Sequence, residues 1–152
     1  MTTTTGRFDS SSLKTIGMVH LRALPGTPRG STSPAAIADI AVREATMLAD
    51  AGFDAVLVEN MHDLPYLRRT VGPEIVAAAT VATRAVVDAV SIPVGLQILA
   101  GANHEALSVA HAAGADFIRA EGFAYASVAD EGIFAEADAG PLLRFRRMIG
   151  AD

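Results

Sequence analysis

Two glutamates close matching stretches of this sequence. Glu59 ends Asp54-Ala55-Val56-Leu57-Val58-Glu59, and Glu121 ends Asp116-Phe117-Ile118-Arg119-Ala120-Glu121. A carboxylate at the end of an apolar run suits general acid–base work, because burial lifts its pKa toward the working range. His20 ends a third apolar run, Thr15–Leu21, beside the Pro/Gly loop that follows. Imidazole titrates where a base is wanted, and it can also hold a substrate hydroxyl. His20, Glu59 and Glu121 are therefore the predicted catalytic set. Asn60, His62, Gln97 and Arg119 are the predicted substrate-binding residues. Amides read hydroxyls and carbonyls, and a guanidinium takes an anion.

Each of these has a plainer reading. Arg119 stands two residues before Glu121 on the same strand face, so the pair can be a salt bridge. Gln97 can simply satisfy a neighbouring Glu, and Asp54 and Asp63 can cap turns or helices. The run Glu59-Asn60-Met61-His62-Asp63 collects oxygen and imidazole donors suited to Mg²⁺, Mn²⁺ or Zn²⁺. A divalent metal is thus open as a cofactor, although no spaced motif such as His-Glu-x-x-His assigns its ligands. Arg68-Arg69 follows this run and is placed to meet an anionic ligand, whereas Arg144-Phe145-Arg146-Arg147 reads as a solvated helix face. Gly101 leads into a helix N-terminus, an anion-binding geometry without a glycine-rich motif.

The elements that hold these residues alternate. Short β-branched runs at Thr15–Leu21, Asp54–Asn60, Pro93–Leu99 and Phe117–Gly122 read as buried parallel strands. Ala-rich stretches at Pro34–Asp50, Pro73–Val90 and Asn103–Ala113 carry apolar residues at helical spacing. Ser33-Pro34 and Gly72-Pro73 place Pro at a first helical position, Asn103 reads as an N-cap, and Gly52 and Gly114 follow helix ends. Gly140-Pro141 opens a fourth helix, and the long loop Phe123–Gly140 before it reads as a lid. The skeleton Ala-Gly-x-Asp at Ala51–Asp54 recurs at Ala113–Asp116, a shared turn device before two strands.

Strand parity then selects the fold. Val19, Val56, Val58, Val94, Leu96, Ile98 and Ile118 share one face, while Met18, His20, Leu57, Glu59, Gly95, Gln97, Arg119 and Glu121 share the other. A doubly wound sheet covers both faces with helices and has no place for the second set. A barrel interior does, since its carboxyl-end mouth is where ligand sites are built. The expected fold is α/β: a (β/α) TIM-type barrel, represented by its first four βα units. A closed barrel takes ~250 residues, so 152 residues correspond to a flexible tail over 1–14 and an N-terminal half-barrel over 15–152. Unpaired strand edges on such a half invite another copy of the chain or a second half.

Composition bounds the rest. The chain has 51% hydrophobic and 19% charged residues, a net charge of -5 and no cysteine. These values fit a folded domain, exclude thiol chemistry and cysteine-ligated metals, and disfavour binding to a nucleic-acid backbone. No apolar run reaches membrane-spanning length and the polar lead Met1–Ser12 is unlike a signal peptide, so a cytoplasmic protein is expected.

Gly17-Met18-Val19-His20-Leu21 followed by Leu24-Pro25-Gly26-Thr27-Pro28 resembles the opening of the BtpA/SgcQ family. Val58-Glu59-Asn60-Met61-His62-Asp63-Leu64-Pro65-Tyr66 and Asp116-Phe117-Ile118-Arg119-Ala120-Glu121-Gly122 resemble its second and fourth strands. The resemblance implies a TIM barrel related in shape to ribulose-phosphate-binding barrels, with no settled reaction. It also implies a link to photosystem I, since the family is named for a cyanobacterial factor needed for that complex to accumulate. The sequence departs from the family pattern at Leu96–Asn103, where many members carry Asn-Val-Leu-Arg-Asn, and after Glu121, where many carry Asn-Val-His-Thr-Gly. These departures point to a subgroup with its own ligand. The expected function is binding or conversion of a small polar metabolite, phosphorylated ones included, by carboxylate and His acid–base chemistry. A non-catalytic assembly factor for a membrane complex and a truncated inactive fragment are the alternatives.

Overall fold

The computed structural model describes residues 15–151, so the predicted tail over 1–14 lies outside the described residues. Four strands, β1 (Ile16–His20), β2 (Ala55–Glu59), β3 (Val94–Gln97) and β4 (Phe117–Ile118), form one parallel sheet in the order β1-β2-β3-β4. They alternate with α1 (Pro34–Asp50), α2 (Pro73–Ala89), α3 (Asn103–Ala113) and α4 (Ala139–Ile149). The sequential order has no reversal, unlike the switch point of a doubly wound sheet. Successive helices α1, α2 and α3 therefore lie side by side on one face of the sheet, as right-handed crossovers in one direction require.

That face is the aliphatic one. Val19, Val56, Val58, Val94, Leu96 and Ile98 are buried in a single core with Ile37, Ala41 and Ala45 of α1, Ile75, Ala79 and Val86 of α2, and Ala106 and Val109 of α3. Alanines along the buried helix stripes let the backbones lie close to the sheet. Gly17 belongs to the same design: a Cβ there would come within 2.9 Å of Leu48 Cδ1 on α1. Burial of each aliphatic side chain supplies ~1.5–3 kcal/mol.

The helix punctuation follows the sequence at most ends. Ser33 caps α1 through Oγ, which accepts from the Ala36 N–H at 3.3 Å, and Pro34 and Pro73 open α1 and α2. Gly114 ends α3 in the left-handed conformation at φ 75°. Asn103 is not an N-cap, because Ala102 holds that position and the Asn103 side chain turns toward the chain beyond β4. The repeated Ala-Gly-x-Asp is a strand-entry device. Asp54 Oδ2 accepts the Thr15 N–H at 2.8 Å and Asp116 Oδ2 accepts the Val94 N–H at 2.9 Å. Each Asp thus caps the start of the preceding strand.

Two expectations change at the far edge. The fourth strand is shorter than the predicted Phe117–Gly122, because β4 pairs on one side alone, with β3, and its pairing covers just Phe117 and Ile118. The expected lid carries an antiparallel hairpin, β5 (Ser127–Ala129) and β6 (Gly132–Phe134). Gly132 closes its turn at φ 109°, a conformation that favours glycine.

Candidate functional site

The polar set lies on the face opposite the helices, at the carboxyl ends of the strands. Register places His20 beside Glu59 and Glu59 beside Gln97, and Arg119 follows the Leu96–Ile118 pair. The result is one lateral row, His20–Glu59–Gln97–Arg119, across the whole sheet. Glu59 is 3% exposed. Its Oε1 lies 3.2 Å from Arg119 Nη2 and its Oε2 lies 3.5 Å from His20 Nε2. Burial pushes the Glu59 carboxyl above its ordinary value, Arg119 and His20 pull it back, and Glu121 adds a smaller upward push. The His20 side chain is 41% exposed, and the exposed His62 ring meets it edge-on with centroids 6.4 Å apart. A buried carboxylate beside a solvent-reachable imidazole can pass a proton between a bound molecule and water.

The ion pair differs from the one expected: Arg119 reaches Glu59, not Glu121. Glu121 lies beyond the short β4, with its backbone N–H donated to Asn103 Oδ1 at 3.1 Å and its Oε2 accepting from the Gly101 N–H. The expected anion position ahead of α3 is therefore filled by this chain's own carboxylate. Gln97 likewise departs from the plainer reading. It is 1% exposed, and neither its Oε1 nor its Nε2 has a hydrogen-bond partner among the described residues. Glu59 is beside it in register and does not satisfy it.

Two asparagines fix the loops around this row. Asn60 is 1% exposed. Its Oδ1 accepts the Leu99 N–H at 2.7 Å, and its Nδ2 donates to Asp63 Oδ2 at 2.9 Å and, more weakly, to the Leu99 carbonyl at 3.4 Å. Asp63 Oδ1 accepts the Leu24 N–H at 2.7 Å, so the loops after β1, β2 and β3 are tied together. Asn103 repeats the motif: Nδ2 donates to the Glu121 carbonyl at 2.7 Å and to Asp138 Oδ2 at 2.6 Å. Asn60, expected to face substrate, is thus committed to backbone and to Asp63. Burial raises the Asp63 carboxyl, while the Leu24 and Asn60 hydrogen bonds and nearby His62 lower it.

The arginines after the second strand also serve the scaffold. Arg68 Nη1 donates to the Ile133 carbonyl at 3.3 Å, and Arg69 Nη2 donates to the Glu136 carbonyl at 2.6 Å. Arg69 Nη1 lies 2.5 Å from Asp138 Oδ1, as an ion pair rather than an aligned hydrogen bond, and its guanidinium stacks 4.9 Å from the Phe134 ring centroid. Both side chains pin the hairpin over the loops instead of waiting for an anion. The sequence reading missed Asp63, Asn103, Arg69 and Asp138 as organising residues. Apart from the local Asn60–Asp63 bond, the asparagine bonds reach 18 to 39 positions along the chain, which no local motif reveals. Among the described residues, no group of three or more His, Asp or Glu is gathered closely enough to hold a metal ion.

Comparison with known proteins places these features in a lineage. The model of the BtpA family matches residues 12–152. An uncharacterised mitochondrial protein of Caenorhabditis elegans is 44% identical over 150 residues, covering 95% of this chain and 54% of its own. An uncharacterised protein of Pyrococcus furiosus is 38% identical, covering 95% and 55%. The photosystem I biogenesis protein BtpA of Synechocystis is 37% identical over 137 residues, covering 90% and 47%. The chain spans about half the length of the curated relatives it matches. With the family model covering the sheet, the polar row and the loop clamps alike, the chain belongs to the BtpA family.

Proposed function

We propose that the described sheet is the first half of a (β/α)₈ barrel and that the row His20–Glu59–Gln97–Arg119 is part of its mouth. The sequential parallel order supports this, as does the polar face opposite the helices. The edge of β4, with a groove of about 630 Å³ between α3 and α4, is where a fifth strand adds in a closed barrel. That strand comes from a second half or from another copy of the chain.

At this mouth the chain binds or converts a small polar metabolite, with Glu59 and His20 as the acid–base pair and Arg119 as the anion holder. The carrying observation is Glu59: a carboxylate 3% exposed, raised by burial, between an imidazole and a guanidinium. Glu121, whose carboxylate rests on the Gly101 N–H, holds the rim, and His62 extends the imidazole side. Thermal shifts across a panel of hydroxylated and phosphorylated metabolites test this reading. A ligand that stabilises the wild type and not Glu59→Gln is expected; equal response of both chains, or none in the wild type, refutes it.

A second reading, docking to a larger assembly, has its own observation. Tyr125, Val128 and Ile133 on and before the hairpin are 82%, 80% and 64% exposed. A relative 37% identical carries the name photosystem I biogenesis protein. Among the described residues no helix is long and apolar enough to cross a membrane, so this docking would be peripheral. Capture of a membrane-complex subunit by the wild type, abolished by Val128→Asp, is the expected result; unchanged capture counts against the hairpin.

A further inference from the structure

The Gln97 amide is the unsolved element of the polar row. Of the buried side chains left without a hydrogen-bond partner among the described residues, Gln97 alone has two such atoms, the Nε2 donor and the Oε1 acceptor. It stands on β3, between Glu59 on β2 and Arg119, which directly follows β4. The ion pair joining those two residues therefore spans β3 at the level of Gln97, a reach of two strand spacings or ~10 Å. Its two ends differ in freedom: the Glu59 side chain is 4% exposed and the Arg119 side chain 56%. Arg119 is the solvent-reachable end, and its pairing with Glu59 carries its side chain across the strand that bears Gln97.

We propose that Gln97 sets the ligand class of the mouth: a small polyhydroxylated anion. Its negative group draws Arg119 off Glu59, and its adjacent hydroxyls take the uncovered amide. One hydroxyl donates to Oε1 and its neighbour accepts from Nε2, which satisfies both orphaned atoms at once. Gln97 ends β3 and Arg119 directly follows the neighbouring β4, so the anion and the hydroxyl pair must be neighbours in the ligand. A carboxylate and a phosphate meet this requirement equally. This inference rests on the mouth reading above and adds to it a position that discriminates.

Ligand-observed NMR titration of the full 152-residue chain tests it with glycerate, glycerol 3-phosphate, propionate and glycerol. Glycerate or glycerol 3-phosphate is expected to bind about tenfold tighter than propionate or glycerol, the effect of one satisfied amide. Which of the two binds tighter identifies the anion. Gln97→Met is expected to bring the hydroxylated anion down to the level of propionate while leaving propionate unchanged. Arg119→Met is expected to lose all three anions. Wild-type chain that binds propionate through Arg119 as tightly as the hydroxylated anions overturns the role of Gln97 and spares the mouth. Gln97→Met that still discriminates overturns it as well. No binding of any probe to the wild type overturns both readings, and the wild-type comparison decides even where Gln97→Met fails to fold.

Discussion

Replacing Asn60 by Ala removes the tie among three βα loops. Three consequences can be weighed from the geometry. The Leu99 N–H, bonded to Oδ1 at 2.7 Å, is left buried without its acceptor, which costs ~1–3 kcal/mol. Asp63 loses a donor at 2.9 Å to a carboxylate, a bond worth ~1.5–3 kcal/mol, though it keeps the Leu24 N–H. The 3.4 Å contact to the Leu99 carbonyl adds little. Relaxation recovers part of the sum, so a loss of ~3 kcal/mol is expected, against ~1 kcal/mol for an average substitution. With a urea slope of ~1.5 kcal/mol/M, the unfolding midpoint falls by ~2 M. Hydrogen exchange supplies the local readout: the Leu24 and Leu99 amides should lose protection before those of α1. Asn60→Asp separates the two halves of the effect. It keeps an acceptor for Leu99 but sets a second carboxylate against Asp63, so its penalty should be larger near pH 7 than near pH 4. A loss below ~1 kcal/mol, or strict additivity of Asn60→Ala with Asp63→Ala, would refute the clamp.

Three further substitutions probe the row and the inner face beside it. The folded pKa of Glu59 is raised above the ordinary 4.5, so its stabilising protonated form is present at low pH and lost as pH rises through the folded value. Glu59→Gln should therefore gain on the wild type in urea midpoint as the pH rises from 4.5 toward the raised folded value, and a gap that narrows over that rise contradicts this sign. Gly95→Ala places a methyl on the Phe117 ring, which overpacks the inner face at ~1–3 kcal/mol. Phe117→Leu in the same chain should recover most of that loss, which thermal unfolding of the single and double variants measures. Gln97→Met exchanges two unpaired buried polar atoms for apolar ones and should stabilise by ~1–3 kcal/mol, read as a higher melting temperature. A destabilisation of that size shows that the amide has a partner.

The parts of the molecule written in local patterns were legible. Alternation along Val56-Leu57-Val58-Glu59 sorts helix-facing side chains from those on the opposite face without any tertiary information, because a strand has no other way to place them. Pro34, Pro73 and Gly114 mark helix ends for equally local reasons. What escaped depends on where one strand stops. Parity put Arg119 and Glu121 on one face, and a longer β4 would have kept them together; with pairing ended at Ile118, Glu121 turns to Gly101 and Arg119 to Glu59. Asn103 reads as a cap from its position, yet the Glu121 backbone and Asp138 compete for its amide and win three hydrogen bonds. The hairpin is signalled by Val128 and Ile133 on either side of the two-residue connection Asp130-Glu131 with Gly132 after it, which the lid reading passed over.

Three buried amides in this chain face one physical problem and meet it differently. Asn60 and Asn103 each grip both the N–H and the carbonyl of one residue on the next loop, so their burial is compensated within the fold. Gln97, just as buried, has neither atom matched. Folded proteins leave few such groups, since each detracts from a stability of only ~5–15 kcal/mol. The satisfied amides lie where loops must be held, outside the polar row; the unsatisfied one lies inside it, under the ion pair of Glu59 and Arg119. A scaffold need alone would place a hydrophobic residue at position 97, as at Leu57 on the same face. The difference between these amides therefore separates, at the carboxyl end of the sheet, a rim of tied loops from a row whose polar capacity is only partly used.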